Sequence, residues 1–296
     1  MRYRVTHRTA YRYESVVSSS YGQLHLLPRD LRGQLCHSAE IHIDPEATEL
    51  REHRDYFGNR TTYFSVLRPH TELALTSVSV VEVNARPPAL SLLVDDGWEQ
   101  VREQLRTERT DELLDARQFT LDSPLVATHP ALAEYAQPSF PPARPLTEAI
   151  AALSARINED FDYQPGATSV TTTIDELLAR REGVCQDFAH FAIGCLRSLG
   201  LAARYVSGYL ETEPPPGRPK LQGADVSHAW TSVFVPALGW VDLDPTNQQF
   251  VNDRYVTIAW GRDYADVPPV KGVIYTEGAT DELIVQVDVV PIADDE

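Results

Sequence analysis

Cys185 is the residue of this chain with the most chemistry to offer. It follows Gly183-Val184 and opens an apolar run that stops at Gly200, so it should sit in the first turn of a helix. Unpaired backbone N–H groups and the helix dipole favour an anion there, and a thiolate is such an anion. A cysteine in that setting becomes a nucleophile near neutral pH. The stripe Val184, Phe188, Phe191, Cys195 and Leu199 marks the buried face of the helix. Cys185 lies one step, about 100°, off that stripe, beside Ala189 and Ala192, where a groove could reach its sulfur. Cys195 belongs to the stripe and reads as core. Cys36, in a β-rich region with no acid–base pair beside it, also reads as structural. A lone cysteine is most often a small core hydrophobe, so the assignment of Cys185 rests on what accompanies it.

A thiol nucleophile needs a base, and the base needs a partner that fixes its tautomer and stabilises its cation. Residues 227–235 read as a strand with His228 at its start. Residues 239–246 form the next strand, and the turn between them predicts a hairpin. In that hairpin His228 faces Asp244 better than Asp242, and the unequal lengths leave room for a bulge. In isolation His228 reads as a satisfied strand histidine and Asp244 as a turn former before Pro245. The order nucleophile, base, acid, on a helix start and two adjacent strands, changes that reading.

The elements that must position these residues are legible in outline. The 296 residues suffice for one large domain or two ordinary ones. Hydrophobic residues at 43 % and charged residues at 23 % exclude a disordered or fibrous chain. Residues 3–13 alternate with period 2, and β-rich runs at 23–27, 39–43, 60–66 and 73–83 are separated by turn signals, so residues 1–90 read as an antiparallel β-sandwich domain. Composition shifts after Pro87-Pro88, and 91–142 reads as a connecting helical region. Residues 143–265 read as an α+β core: a helix from Pro145, a short helix over 173–181, the Cys185 helix, then strands at 203–210, 229–235, 239–243 and 255–260. Residues 266–296 hold a closing strand, 283–292, and an acidic tip.

Other classes of function are excluded by charge and motif. The 26 Lys plus Arg against 43 Asp plus Glu give a net charge of −17, which argues against nucleic acid or anionic membrane as a main partner. No stretch has the roughly 18 apolar residues of a membrane helix. Residues 1–14 lack the apolar segment of a secretory signal, so a soluble, cytoplasmic protein is expected. Three cysteines without a Cys-x-x-Cys pair fit neither a disulfide framework nor a zinc site, and no calcium loop or His-Glu-x-x-His is present. No metal or cofactor is expected, and activity should survive EDTA.

The motifs Gly183-Val184-Cys185-Gln186-Asp187-Phe188-Ala189, Leu199-Gly200-Leu201-Ala202-Ala203-Arg204-Tyr205-Val206-Ser207-Gly208-Tyr209, Ser227-His228-Ala229-Trp230 and Gly239-Trp240-Val241-Asp242-Leu243-Asp244-Pro245-Thr246 together resemble the transglutaminase-like superfamily. The second matches the family pattern G-[IL]-x-A-R-x-V-x-G-Y. Tyr3, Leu24-His25-Leu26-Leu27-Pro28-Arg29 and Asp55-Tyr56-Phe57-Gly58-Asn59 are similar to the β-domain that precedes this core in a bacterial branch. The resemblance thins between residues 90 and 140. It implies a papain-like core, helices packed on an antiparallel sheet, and a triad of Cys185 nucleophile, His228 base and Asp244 orienter.

No calcium-loop pattern or further flanking domain accompanies the motifs, so the calcium dependence of the animal cross-linking enzymes is not carried over. No tryptophan lies between Trp98 and Trp230, where those enzymes place one before the nucleophile. The backbone N–H groups of Cys185 and Gln186 are therefore the default oxyanion donors. Tyr163 is a further candidate, or else a core aromatic. The expected function is cysteine-dependent acyl transfer from a peptide or protein amide through a thioester. Hydrolysis is favoured because water outnumbers any amine. The alternatives are an amine-transferring protein-glutamine transglutaminase and a non-catalytic protein-binding module. The loops 164–172 and 211–225 are expected to border the cleft, the second stiffened by Pro214-Pro215-Pro216-Gly217.

Overall fold

The structure is a computed structural model, and it describes residues 1–293 apart from 85–95, 167–172, 213–224, 226, 237 and 279. Pro87-Pro88, most of the first cleft loop, Pro214 to Gly217 and the end of the acidic tip lie outside the described residues.

Six strands come first: β1 (Arg2–Val17), β2 (Ser19–Leu24), β3 (Gln34–Asp44), β4 (Glu49–Arg54), β5 (Arg60–Val66) and β6 (His70–Val83). The alternation of β1 puts Tyr3, Val5, His7 and Thr9 inside and arginines outside. Helices α1 (Trp98–Thr107), α2 (Asp111–Arg117), α3 (Pro130–Ala136) and α4 (Leu146–Asp160) follow. Next come β7 (Asp162–Tyr163), α5 (Ile174–Arg180), β8 (Glu182–Gly183) and α6 (Cys185–Ser198). The chain ends in strands β9 (Ala203–Leu210), β10 (Ser227–Val235), β11 (Gly239–Asp244), β12 (Gln249–Phe250), β13 (Tyr255–Gly261), β14 (Val270–Tyr275) and β15 (Thr280–Pro291).

Two four-stranded sheets, ordered β15-β1-β6-β3 and β14-β2-β5-β4, make the N-terminal sandwich. They close over Tyr13, Val17, Leu24, Phe64, Val66 and Leu75. The C-terminal segment completes both sheets. β15 runs antiparallel to β1 from Tyr3↔Pro291 to Tyr13↔Thr280, and β14 runs against β2. The closing segment thus supplies two strands where one was expected. β14 and β4 escaped the sequence reading because both are edge strands with mostly exposed side chains, so neither carries an inward apolar face to betray it.

The second sheet system is ordered β12-β11-β10-β9-β13, with α6 packed on one face. Helix α6 corrects the single-stripe expectation. Phe188, Phe191, Cys195 and Leu199 are buried, but so are Asp187, Ala189, Ala192, Ile193, Leu196 and Arg197. α3 and α4 lie on one side of the helix and β9 and β10 on the other, so nearly every face has a neighbour. Ala189 and Ala192 face no groove; the Thr231 hydroxyl donates to the Ala189 carbonyl at 3.3 Å.

The sandwich is locked to this core by the motifs that carried the N-terminal resemblance. The Asn59 side chain donates to the Trp260 carbonyl and accepts from the Trp260 N–H, both at 2.9 Å. Arg29 donates to Asn59 Oδ1 and to the Phe57 carbonyl while lying 3.5 Å over the Trp260 ring. Gln34 pairs with both backbone groups of Thr257.

Candidate active site

The nucleophile helix is built to begin where it does. Gly183 precedes it because a Cβ there would meet Asp187 and Phe188 at 3.1 Å. Asp187, three residues into the helix, accepts the Val184 N–H at 2.8 Å and so caps the entry with a carboxylate. The N–H groups of Cys185 and Gln186, in the first turn, have no intrahelical acceptor and point to where an anion would sit. Tyr163 is not a core aromatic. It is 49 % exposed, pairs in β7 with Gly183 of β8, and lies close enough to Cys185 for a thiolate to oppose its ionisation, after burial has done so.

The hairpin places the other two residues. β10 and β11 pair without a register shift from Val235↔Gly239 to Thr231↔Leu243, so no bulge intervenes. Asp244 therefore lies across from Trp230, diagonal to His228. His228 Nε2 donates to Asp244 Oδ2 at 2.7 Å. Cys185 lies near enough to His228 to raise it, and because Asp244 takes Nε2, Nδ1 is the ring nitrogen that remains for the thiol. The structure brings Cys185, His228 and Asp244 together and does not bring Asp242 to His228.

Asp244 is held by five hydrogen bonds. Oδ2 also accepts from Asn247 Nδ2 and the Tyr255 hydroxyl, both at 2.7 Å, and Oδ1 accepts from the N–H groups of Thr246 and Asn247. The local donors follow from the Asp-Pro-Thr-Asn turn, in which an aspartate side chain caps the backbone two and three residues on; that signal was readable. Tyr255 comes from β13 and had none.

Beneath the imidazole lies Trp230, its ring centroid 6.2 Å away, with Tyr255 edge-on to the indole. Trp230 fits only because Gly208 has no side chain: a Cβ would lie 2.1 Å from the Val256 carbonyl oxygen and 2.5 Å from the indole. Gly208→Ala is therefore expected to lower stability by about 2 kcal/mol or more and to displace the support of His228. A urea midpoint like that of the wild type would contradict this packing.

Three histidines stand near the site, His7 and His228 buried and His190 partly so, and their environments differ. Burial drives His7 and His190 each down to about 4. Burial also pushes His228 down, but its hydrogen bonds to Asp244 and Cys185 outweigh this and raise it to about 10. Burial would raise the Asp244 carboxyl, and its bonds to His228, Asn247 and Tyr255 instead hold it below the usual range. The ordinary value for His228 is 6.5, so the stabilisation from its cation is complete below that value and is lost as pH rises through about 10. The Asp244 contribution, from a lowered group, is present at neutral pH and lost in acid. The difference in Tm between wild type and Asp244→Asn should accordingly narrow between about pH 7 and about pH 10. A constant difference over that span would show that His228 is not raised.

The site opens into a cavity of about 380 Å³. Val184, Cys185, Gln186, Tyr205, Ser207, His228 and Tyr264 form one side. The sandwich forms the other, through His7, Thr9 and Tyr11 of β1 and Leu283 and Val285 of β15. His7 is fixed by the Tyr209 hydroxyl and Thr9 Oγ1, both at 2.9 Å. Sequence reasoning missed this wall, because only the tertiary fold brings β1 and β15 to Cys185. Among the described residues lining the cavity there is no Asp, Glu, Lys or Arg. No described helix is long and apolar enough to cross a membrane.

Residues 3–82 match the bacterial transglutaminase-like N-terminal region, and residues 133–245 match the transglutaminase-like superfamily. A Mycobacterium tuberculosis protein without an assigned activity is 47 % identical over 305 residues, covering 99 % of this chain and 94 % of that protein. A protein-glutamine gamma-glutamyltransferase of Pseudomonas aeruginosa is 38 % identical over 103 residues, covering 33 % of this chain but only 15 % of that enzyme. The solved structure of a candidate cysteine protease from Cytophaga hutchinsonii superposes with a TM-score of 0.72 at 20 % identity, over 99 % of this chain and 92 % of its own. That similarity extends to the whole two-part fold.

Proposed function

The chain belongs to the transglutaminase-like superfamily, and from that premise we propose that it is a cysteine-dependent acyl-transfer enzyme acting on peptide or protein amides, with hydrolysis as its main outcome. The observation that carries the reading is the His228 ring, fixed by Asp244 through Nε2 at 2.7 Å and lining one cavity with Cys185.

His228 takes the thiol proton, and Cys185 Sγ attacks the amide carbonyl carbon. The oxygen gains negative charge in front of the Cys185 and Gln186 N–H groups, with Tyr163 a further candidate donor near Cys185. The imidazolium then protonates the leaving amine, the C–N bond breaks, and a thioester remains. Water, deprotonated by His228, resolves the thioester to a carboxylic acid and restores the thiol. Asp244 keeps Nε2–H in place and stabilises the imidazolium throughout.

The lining favours hydrolysis over amine transfer, since the described cavity wall offers no carboxylate to hold an incoming ammonium beside the His228 cation. It also favours an acyl group with an uncharged side chain, because a charge buried there would go unpaired. Incubating a peptide library with and without amine donors, followed by mass spectrometry, tests both points. Hydrolysed products enriched in uncharged residues at the reacting position are expected. Amine adducts in preference to hydrolysis would overturn the outcome assigned, and no reaction in either arm would favour a binding module.

A further inference from the structure

The face of the core sheet turned away from α6 carries buried polar groups that acyl transfer does not use. Arg204 on β9, Ser232 on β10 and Asp242 on β11 stand abreast, Ser232 lying opposite both of the others. The Arg204 guanidinium is clasped between two indoles, its carbon 4.1 Å from the Trp240 ring centre and 3.8 Å from that of Trp260. Arg204 is only 7 % exposed, yet its buried Nε has no hydrogen-bond partner among the described residues, while Ser232 and Trp230 stand against the Asp242 carboxyl and help hold it down. Asp242 acts on the guanidinium through space.

Other buried arginines of this chain are treated differently. Arg197 places its guanidinium on the carbonyls of Phe119, Ala203 and Arg262 and on Ser123 Oγ. Arg29 shares the opposite side of Trp260 and is bonded to Asn59 and Phe57 through one terminal nitrogen, although its Nε too has no partner among the described residues. A buried guanidinium nitrogen without an acceptor is costly, and terminal nitrogens that face a cavity can take an acceptor from outside the chain.

Arg204 and Asp242 line a cavity of about 600 Å³, separate from the Cys185 cleft and walled by Leu31, Val83, Leu238 and Val251 with the two indoles. That volume falls in the range of small-molecule sites, roughly 300–1,000 Å³. We propose that this cavity binds a small carboxylic acid with an apolar body, whose carboxylate meets the Arg204 fork and whose body lies along the aliphatic wall. The planar guanidinium matches a carboxylate. Asp242 in the same cavity disfavours a doubly charged anion such as phosphate. Burial lowers Arg204 only to about 9, so the cation persists at neutral pH.

The test uses the full chain with Cys185 alkylated by iodoacetamide, so that the catalytic cleft is closed to the probes. N-acetylphenylalanine and its primary amide, which differ only in the carboxylate, are titrated by calorimetry. The acid should bind saturably and at least about tenfold more tightly than the amide, as expected of a charge-assisted pair. Arg204→Lys, which keeps the charge and loses the fork, should weaken the acid by a similar factor. Should that variant not fold, Asp242→Asn decides: it removes the competing negative charge and should tighten the acid several-fold without changing the amide. Equal binding of acid and amide, absence of saturable binding, or no effect of Asp242→Asn on the acid would each overturn the proposal.

Discussion

Cys185→Ala is expected to abolish turnover and iodoacetamide labelling while leaving the fold in place. Cys185 is half-buried at a helix start, so losing its sulfur opens no large cavity. Cys195 is fully buried on the same helix, and burial pushes its thiol far up, so it offers no thiolate to an alkylating reagent. Burial also raises Cys36, against the pull of the Arg60 guanidinium at 3.7 Å. Cys195→Ala should therefore keep both turnover and labelling and lower stability by about 1 kcal/mol as a core truncation. Peptide mapping of the alkylated protein separates the three thiols. Rapid modification at Cys195 or Cys36 in place of Cys185 would contradict the assignment.

Asp244→Asn should lower turnover by several powers of ten, about 10³- to 10⁴-fold, with little change in the accessibility of Cys185. The effect is large because Asp244 Oδ2 accepts from His228, Asn247 and Tyr255 together. An amide in that place would set its own N–H₂ against one group of donors, and His228 would lose the acceptor that fixes its Nε2 proton. Asp242→Asn should cost less than about tenfold. Asp242 shares a strand face with Asp244 but stands nearer the turn, opposite Ser232, with burial raising its carboxyl and Arg204 opposing that rise. Measuring kcat/KM of both variants on one substrate separates the two roles. Comparable losses, or the larger loss at Asp242, would reverse the assignment.

The pairing of His228 with Asp244 was legible because it rests on local rules: a helix start, a hairpin, and a turn that ends at Pro245. The alternation of β1 and the limits of Arg60–Val66 were legible for the same reason. What escaped was long-range. Tyr255 reaches Asp244 from another strand, His7 and Thr9 reach the cleft from the first strand of the chain, and Leu283 and Val285 reach it from the last. No periodicity encodes such meetings, because they follow from how the sheets close. The reading of α6 failed at Ala189 and Ala192 for a related reason. Small apolar residues beside a stripe can line a groove or admit a neighbouring strand, and here β10 occupies the space.

The central claim is that an amide's acyl group passes through a thioester on Cys185. Acid-quenching the wild type during reaction with a peptide-amide library, then mapping the protein by mass spectrometry, reads this directly. The account predicts an acyl adduct on the peptide that carries Cys185, discharged by hydroxylamine and absent from Cys185→Ala. Turnover with no adduct at Cys185, or an adduct on another residue, would contradict it.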